Sequence, residues 1–374
     1  MTPKERLLAA LKRQEVDRIP WSPFLAYWWE QQPPEMQQRG QIWFYKMIGA
    51  DALLRGFIAP FRCGDVFGRK HYDSFNIPIP GVTFRTETIA NQTHIQLETK
   101  VGSISTQLTY SEEANSWFIT GFPIKRREDY KIFSHIVENM AIEPNYEAVR
   151  DEIKAVGEDG LSMPQISPFL CTPFQSLLDN FVGPQQLYLD MVDYLDEVET
   201  LLGIMSEKAL KAVEVAAESP AQAFISWETS TTQYMSPKYF QQYILPEFNR
   251  WGDILHAAGK LLVHHACGHI KAILPMMATE NADAIESVTP PPTGNVEVWE
   301  VQRVLGNEKC IIGGIEPLNF LTLSMDDFKN YIEDTLTKIV PLGFIFGNSD
   351  SCPPGVSMEK FKMVTQIINS FEIR

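Results

Sequence analysis

The sequence predicts an α/β chain folded as a (β/α)8 TIM barrel, with an antiparallel β-hairpin insertion at about residues 62–130. Three observations carry this. After Asp151, short apolar runs alternate with amphipathic helical stretches. Counting the runs at Trp21 and Leu53 gives about eight strands, the number that closes a barrel. No glycine-rich phosphate loop follows the first strand, which disfavours the alternative of an open doubly wound sheet.

Thr2-Pro3-Lys4-Glu5 reads as a helix start, with Thr2 as N-cap, Pro3 in the first helical position and Glu5 reaching back to the cap; a short helix runs to Leu11. Arg18-Ile19-Pro20-Trp21 opens an apolar stretch to Leu25, the first buried strand, and Leu53–Ile58 is the second. Between Arg62 and Tyr130 the pattern becomes antiparallel. Ile95, Leu97 and Thr99, then Ile104, Thr106 and Leu108, alternate with polar residues on either side of Val101-Gly102-Ser103, and Trp117-Phe118-Ile119 adds another strand. Further strands are expected at Leu161–Ile166, Ala223–Trp227, Leu261–His265, Ala284–Ser287, Cys310–Ile315 and Phe344–Phe346. Leu195, Val198, Leu202, Met205, Ala209 and Val213 form an apolar stripe at helical spacing. No short repeat or low-complexity tract interrupts the chain, so residues 1–374 read as a single barrel domain carrying the insertion.

The 374 residues are 44% hydrophobic and 21% charged, which excludes a disordered or fibrous chain. Lys and Arg number 32 against 47 Asp and Glu, and the formal charge of −15 argues against a nucleic-acid or anionic-membrane surface. No apolar run approaches the roughly 20 residues that span a bilayer, and the first residues lack the apolar core of a secretion signal. A cytoplasmic protein is expected. Cys63, Cys171, Cys267, Cys310 and Cys352 are too few and too scattered for a disulfide framework, which leaves them as buried apolar residues or ligands.

The densest chemical cluster is Leu261-Leu262-Val263-His264-His265-Ala266-Cys267-Gly268-His269. An apolar strand runs into His265 and Cys267, placing both at the carboxyl end of a barrel strand, where such barrels build active sites. Residues i and i+2 on extended backbone share a face and can bind one ion. A zinc site needs three or four ligands, and Cys352, in the loop after Phe344–Phe346, is the best third candidate. The competing reading makes the histidines hydrogen-bonded core residues and the cysteines small buried hydrophobes. Glu228, Glu286 and Glu316 each follow an apolar strand. Each is a helix cap or rim ion pair, or else a further ligand or a general acid whose pKa burial raises. Trp21, Phe24, Tyr27 and Trp28 crowd the end of the first strand, either as core or as the wall of a pocket for a flat organic substrate.

The opening Thr2–Leu11, Val16-Asp17-Arg18-Ile19-Pro20, Met235-Ser236-Pro237-Lys238-Tyr239-Phe240, His265-Ala266-Cys267-Gly268 and Gly343-Phe344-Ile345-Phe346-Gly347 resemble the uroporphyrinogen decarboxylase superfamily over nearly the whole chain. The resemblance implies a (β/α)8 barrel and two possible branches. The true decarboxylases grip an acidic tetrapyrrole with arginines just after the first strand, where this chain reads Phe24-Leu25-Ala26-Tyr27-Trp28-Trp29-Glu30. Members of the other branch are cobalamin-dependent methyltransferases that bind zinc through a His-x-Cys pair and a distant cysteine. His265, Cys267 and Cys352 fall where that pattern puts its ligands, and the resemblance makes Glu228 a fourth ligand.

That branch runs in both directions, carrying methyl from a corrinoid protein to a thiol such as coenzyme M, or from a methoxylated compound to a Co(I) corrinoid. The aromatic strand end and the hairpin incline the reading to O-demethylation of a methoxylated aromatic compound, with zinc as cofactor, a corrinoid protein as partner and Glu228 and Glu286 as catalytic carboxylates. The thiol methyltransferase, the decarboxylase and a non-catalytic ligand-binding barrel are the alternatives.

Overall fold

The computed structural model describes residues 1–56, 58–67, 76–113, 116–306 and 308–372. Its strands in chain order are β1 (Ala52–Arg55), β2 (Phe61–Cys63), β3 (Thr83–Ile89), β4 (Gln92–Thr99), β5 (Gly102–Ser111), β6 (Ser116–Gly121), β7 (Ile142–Pro144), β8 (Gly160–Met163), β9 (Ala223–Glu228), β10 (Leu261–Ala266), β11 (Ala284–Val288), β12 (Cys310–Ile315) and β13 (Phe344–Asn348). Residues 1–56, 150–164 and 221–374 form one compact unit, and residues 57–149 and 165–220 a second.

In the first unit β13-β12-β11-β10-β9 make a five-stranded parallel sheet, and β1 pairs in parallel with β8. Trp21 adds a parallel bridge to Phe346 of β13. Single backbone bonds extend the pattern: Asp51 N donates to Trp21 O at 2.7 Å, and Ile225 N of β9 donates to Pro164 O at 3.0 Å. Among the described residues these ladders are separate sheets and not a closed ring. Alternate side chains meet in one buried cluster that includes Leu53, Leu161, Ala223, Val263, Ala284 and Ile345. Parallel strands covered on both faces read as continuous apolar runs, which is why they are visible in the sequence.

Prolines and glycines decide where the strands stop. The expected first strand shrinks to Trp21, because Pro20 and Pro23 have no N–H; its link to β13 is Ser22 N to Phe346 O (2.9 Å) and Phe346 N to Pro20 O (2.8 Å). Pro164 ends β8 short of the expected Ile166. Gly56, at φ +62°, ends β1 directly after Arg55. Phe57, part of the expected second strand, lies outside the described residues.

The helix Pro3–Leu11 carries the expected capping box, with Glu5 N donating to Thr2 Oγ1 (3.2 Å) and Thr2 N to Glu5 Oε2 (2.8 Å). Its Arg6 binds Asp17 at 2.6 Å. Arg18 and Trp21 N then converge on the buried Asp51 carboxylate at 2.9 and 3.0 Å. The Val16–Pro20 segment is therefore a clamp that fixes the entry of Trp21 onto β13.

In the second unit β3-β4-β5-β6 form an antiparallel sheet, and β2 pairs antiparallel with β7. Ile95, Leu97, Ile104 and Leu108 are buried on one face of that sheet, as their alternation requires. The 24-residue helix Leu195–Glu218 buries the stripe through Val198, Leu202, Met205, Ala209 and Val213. No helix among the described residues is long and apolar enough to cross a membrane.

Candidate functional site

Register fixes which side chains of β10 can work together. His265 lies beside Trp227 of β9 and Glu286 of β11, whereas His264 lies beside Ser226 and Ile285. Lateral neighbours in a ladder share a face, and consecutive residues alternate. His265 therefore stands above Val263 on the face of the buried cluster, and His264 points the other way.

On that face His265 Nδ1 is hydrogen-bonded to Glu286 Oε2. Glu286 Oε1 lies 3.0 Å from Arg55 Nε at the end of β1. Those two atoms pair by charge without a directed hydrogen bond. Arg55 also donates to the carbonyls of Ser22 (3.2 Å) and Leu53 (3.3 Å), and its guanidinium sits 5.3 Å from the centre of the Phe24 ring. Phe24 stacks on Trp227 at 5.6 Å, and Trp227 contacts the His265 ring at 4.8 Å. A Cβ at position 56 would fall 2.4 Å from Trp227 Nε1, so Gly56 lets the chain pass this close to the indole. Burial alone would lower the His265 pKa, but Glu286 and Cys267 outweigh it and the net shift is well upward. Burial would raise Glu286, but His265 and Arg55 hold it below its usual value, so it is a carboxylate and not the raised-pKa acid expected from burial alone.

Cys267 follows β10, half-buried, with its Sγ 3.8 Å from Glu228 O. Gly268 turns the chain away at φ +94°, where a Cβ would meet Thr231 Cβ at 2.6 Å. Cys352 follows β13 and is buried. Its N–H donates to Phe24 O at 2.8 Å and its carbonyl accepts from Trp28 N at 3.0 Å. Burial pushes its thiol well above the ordinary value. Asp350, two residues earlier, is raised by burial and by the Glu286 charge, with His265 opposing.

The remaining candidates fall elsewhere. Glu228 shares the face of Ser226, whose Oγ donates to its Oε1 at 2.7 Å, so the carboxylate is on the side of His264 and not of His265. Glu316 caps the helix Pro317–Thr322 by accepting Asn319 N at 2.8 Å. Trp21 is buried against Phe346, and Trp28 is buried between Phe44 and Phe361 with its Nε1 donating to Val356 O. Tyr27 is exposed. Of the four aromatic candidates, only Phe24 reaches the His265 ring, edge-on at 6.3 Å. Sequence reasoning misses Arg55, Trp227 and Asp350; an arginine closing an apolar strand, as in Leu53-Leu54-Arg55, is the one signal that points to the first.

His264 sits in a separate buried chain. Its Nε2 meets Ser230 Oγ at 2.8 Å, its Nδ1 meets Glu280 at 3.0 Å, and its ring stacks on Phe248 at 4.1 Å. His264→Ala is expected to cost about 2–4 kcal/mol in urea unfolding, because Ser230 and Glu280 lose their buried partner. Metal content should not change.

Two of the expected zinc ligands suit the ion. A metal-binding histidine commonly gives its second ring nitrogen to a carboxylate, and the His265–Glu286 bond through Nδ1 is that arrangement, with Cys267 beside the ring. His265 and Cys267 fit. Among the described residues no three His, Cys, Asp or Glu side chains stand as one set of donors, so Cys352 is not gathered with them.

The uroporphyrinogen decarboxylase (URO-D) family matches residues 131–371, and the chain belongs to it. No curated protein sequence matches the chain. Among solved structures, a methyltransferase from Methanosarcina mazei aligns over 99% of this chain and 99% of its own, with a TM-score of 0.64 at 17% identity. The two share a fold. A B12-independent methionine synthase from Shewanella sp. W3-18-1 aligns over 94% and 96%, with a TM-score of 0.47 at 9% identity.

Proposed function

We propose that the chain is a zinc-dependent methyltransferase moving methyl from a small methoxylated aromatic compound to the Co(I) corrinoid of a partner protein. The observation that carries this is the strand-end His265–Cys267 pair with Glu286 and Arg55 behind it. His265 and Cys267 are the proposed ligands already side by side, Cys352 is the proposed third ligand that the ion would have to draw in, and the parallel strands with Trp21 are the proposed (β/α)8 barrel, into which β3–β6 are inserted. When bound, zinc supplies a Lewis acid that stabilises the departing phenolate.

The chain's own residues prepare that step. Glu286 fixes the His265 ring so that Nε2 is presented, and Arg55 keeps Glu286 ionised. Phe24 and Trp227 supply an apolar wall that strengthens nearby charge interactions by excluding water. The methyl group would pass to the partner's Co(I), a substrate that brings the electron pair of the new bond, while the C–O bond electrons leave with the oxygen and the phenolate takes a proton from water. The decarboxylase alternative is disfavoured because Arg55 is already committed to Glu286 and to backbone carbonyls, and so is not free to grip an acidic tetrapyrrole.

Under anaerobic conditions, protein mixed with Co(I) corrinoid and a panel of methoxylated aromatics should convert the Co(I) absorption spectrum to that of methyl-Co(III) and release an equal amount of phenol. If every ether is inert while methyl-Co(III) and coenzyme M react, the thiol methyltransferase reading replaces this one.

A further inference from the structure

All seven residues of β3, Thr83–Ile89, are exposed, and β3 is an outer strand of the antiparallel sheet. Its register settles which backbone groups are free. Ile89 pairs with Gln92 across the two-residue turn Ala90-Asn91, with Ala90 at φ +54°. In such a hairpin the pair flanking the turn is hydrogen-bonded, and bonded pairs recur at every second residue. Thr83, Arg85, Glu87 and Ile89 therefore direct their N–H and C=O groups to β4, and Phe84, Thr86 and Thr88 direct theirs to the open edge.

We propose that this edge pairs antiparallel with the same strand of a second copy of the chain, about a two-fold axis at Thr86. In that register Thr86 faces Thr86 of the second copy, Phe84 faces its Thr88, and both pairs present the outward backbone groups to each other. Arg85 then lies opposite Glu87 of the second copy, and Glu87 opposite its Arg85. These are non-hydrogen-bonded pairs, in which side chains stand closest. An axis at Arg85 would use the same outward backbone groups but would place Arg85 opposite Arg85 of the second copy, so charge selects the axis at Thr86. Within its own sheet Arg85 reaches the diagonal Glu98 at 3.2 Å, a largely exposed pair that holds it weakly. The two-fold closes the assembly at a dimer, since the other outer strand, β6, has no such fully exposed run.

Sedimentation of the whole chain over a range of concentrations tests this. Wild type should show a concentration-dependent dimer. Arg85→Glu and Glu87→Arg, each alone, place like charges opposite one another and should weaken it about tenfold or more. Mixing those two variants brings opposite charges together and should restore a heterodimer. Thr86→Pro removes an outward N–H that β4 does not use, and should abolish the dimer with circular dichroism unchanged. A wild type that is monomeric at about 100 μM, or a dimer unaffected by the single charge reversals, overturns the proposal.

Discussion

Cys267→Ser is expected to lower methyl transfer to Co(I) corrinoid by at least about 10²–10³-fold, the scale on which one electrostatic stabiliser of a departing anion acts. Serine keeps the size and the hydrogen bond to Glu228 O but is a far weaker anion than a thiolate. The fold should be untouched, since Cys267 is half-buried at a loop and not in the cluster around Val263. Equal loss of the spectral change and of phenol release is the expected pattern. A variant that keeps wild-type rates would remove the cysteine from the reaction.

Arg55→Met should destabilise the chain by about 3–5 kcal/mol in urea unfolding, because it leaves the fully buried Glu286 carboxylate without the guanidinium that balances its charge. Arg55→Lys should cost less, since it keeps the charge and loses the fork that reaches the Ser22 and Leu53 carbonyls. Combining Arg55→Met with Glu286→Gln should recover part of the loss, because the stranded charge is gone. If Arg55→Met unfolds at the wild-type midpoint, the pair contributes nothing and the account of how His265 is oriented is wrong.

The strands that line the buried cluster are legible because nearly every residue in them is apolar; β12 runs from Cys310 to Ile315 as expected. The Thr2–Glu5 cap is legible because its chemistry is local. β3 is not, since Thr83–Ile89 is exposed on both faces and carries no burial pattern. The site is half-legible. His265 and Cys267 share a face by spacing alone, but Arg55 meets Glu286 only through the long-range arrangement of β1 and β11. Glu228 and Glu286 look equivalent at strand ends, and only the register with β10 separates them. Trp21 and Trp28 look like a pocket wall because aromatic crowding has the same sequence signature in a core as in a site.

Elemental analysis of protein purified without added metal decides whether the His265–Cys267 strand end holds an ion. Wild type should carry roughly one zinc per chain, lost in Cys267→Ser and in Cys352→Ser and retained in His264→Ala. Full retention of zinc in both cysteine variants, or a wild type with no zinc that fails to take it up when it is offered, would contradict this assignment.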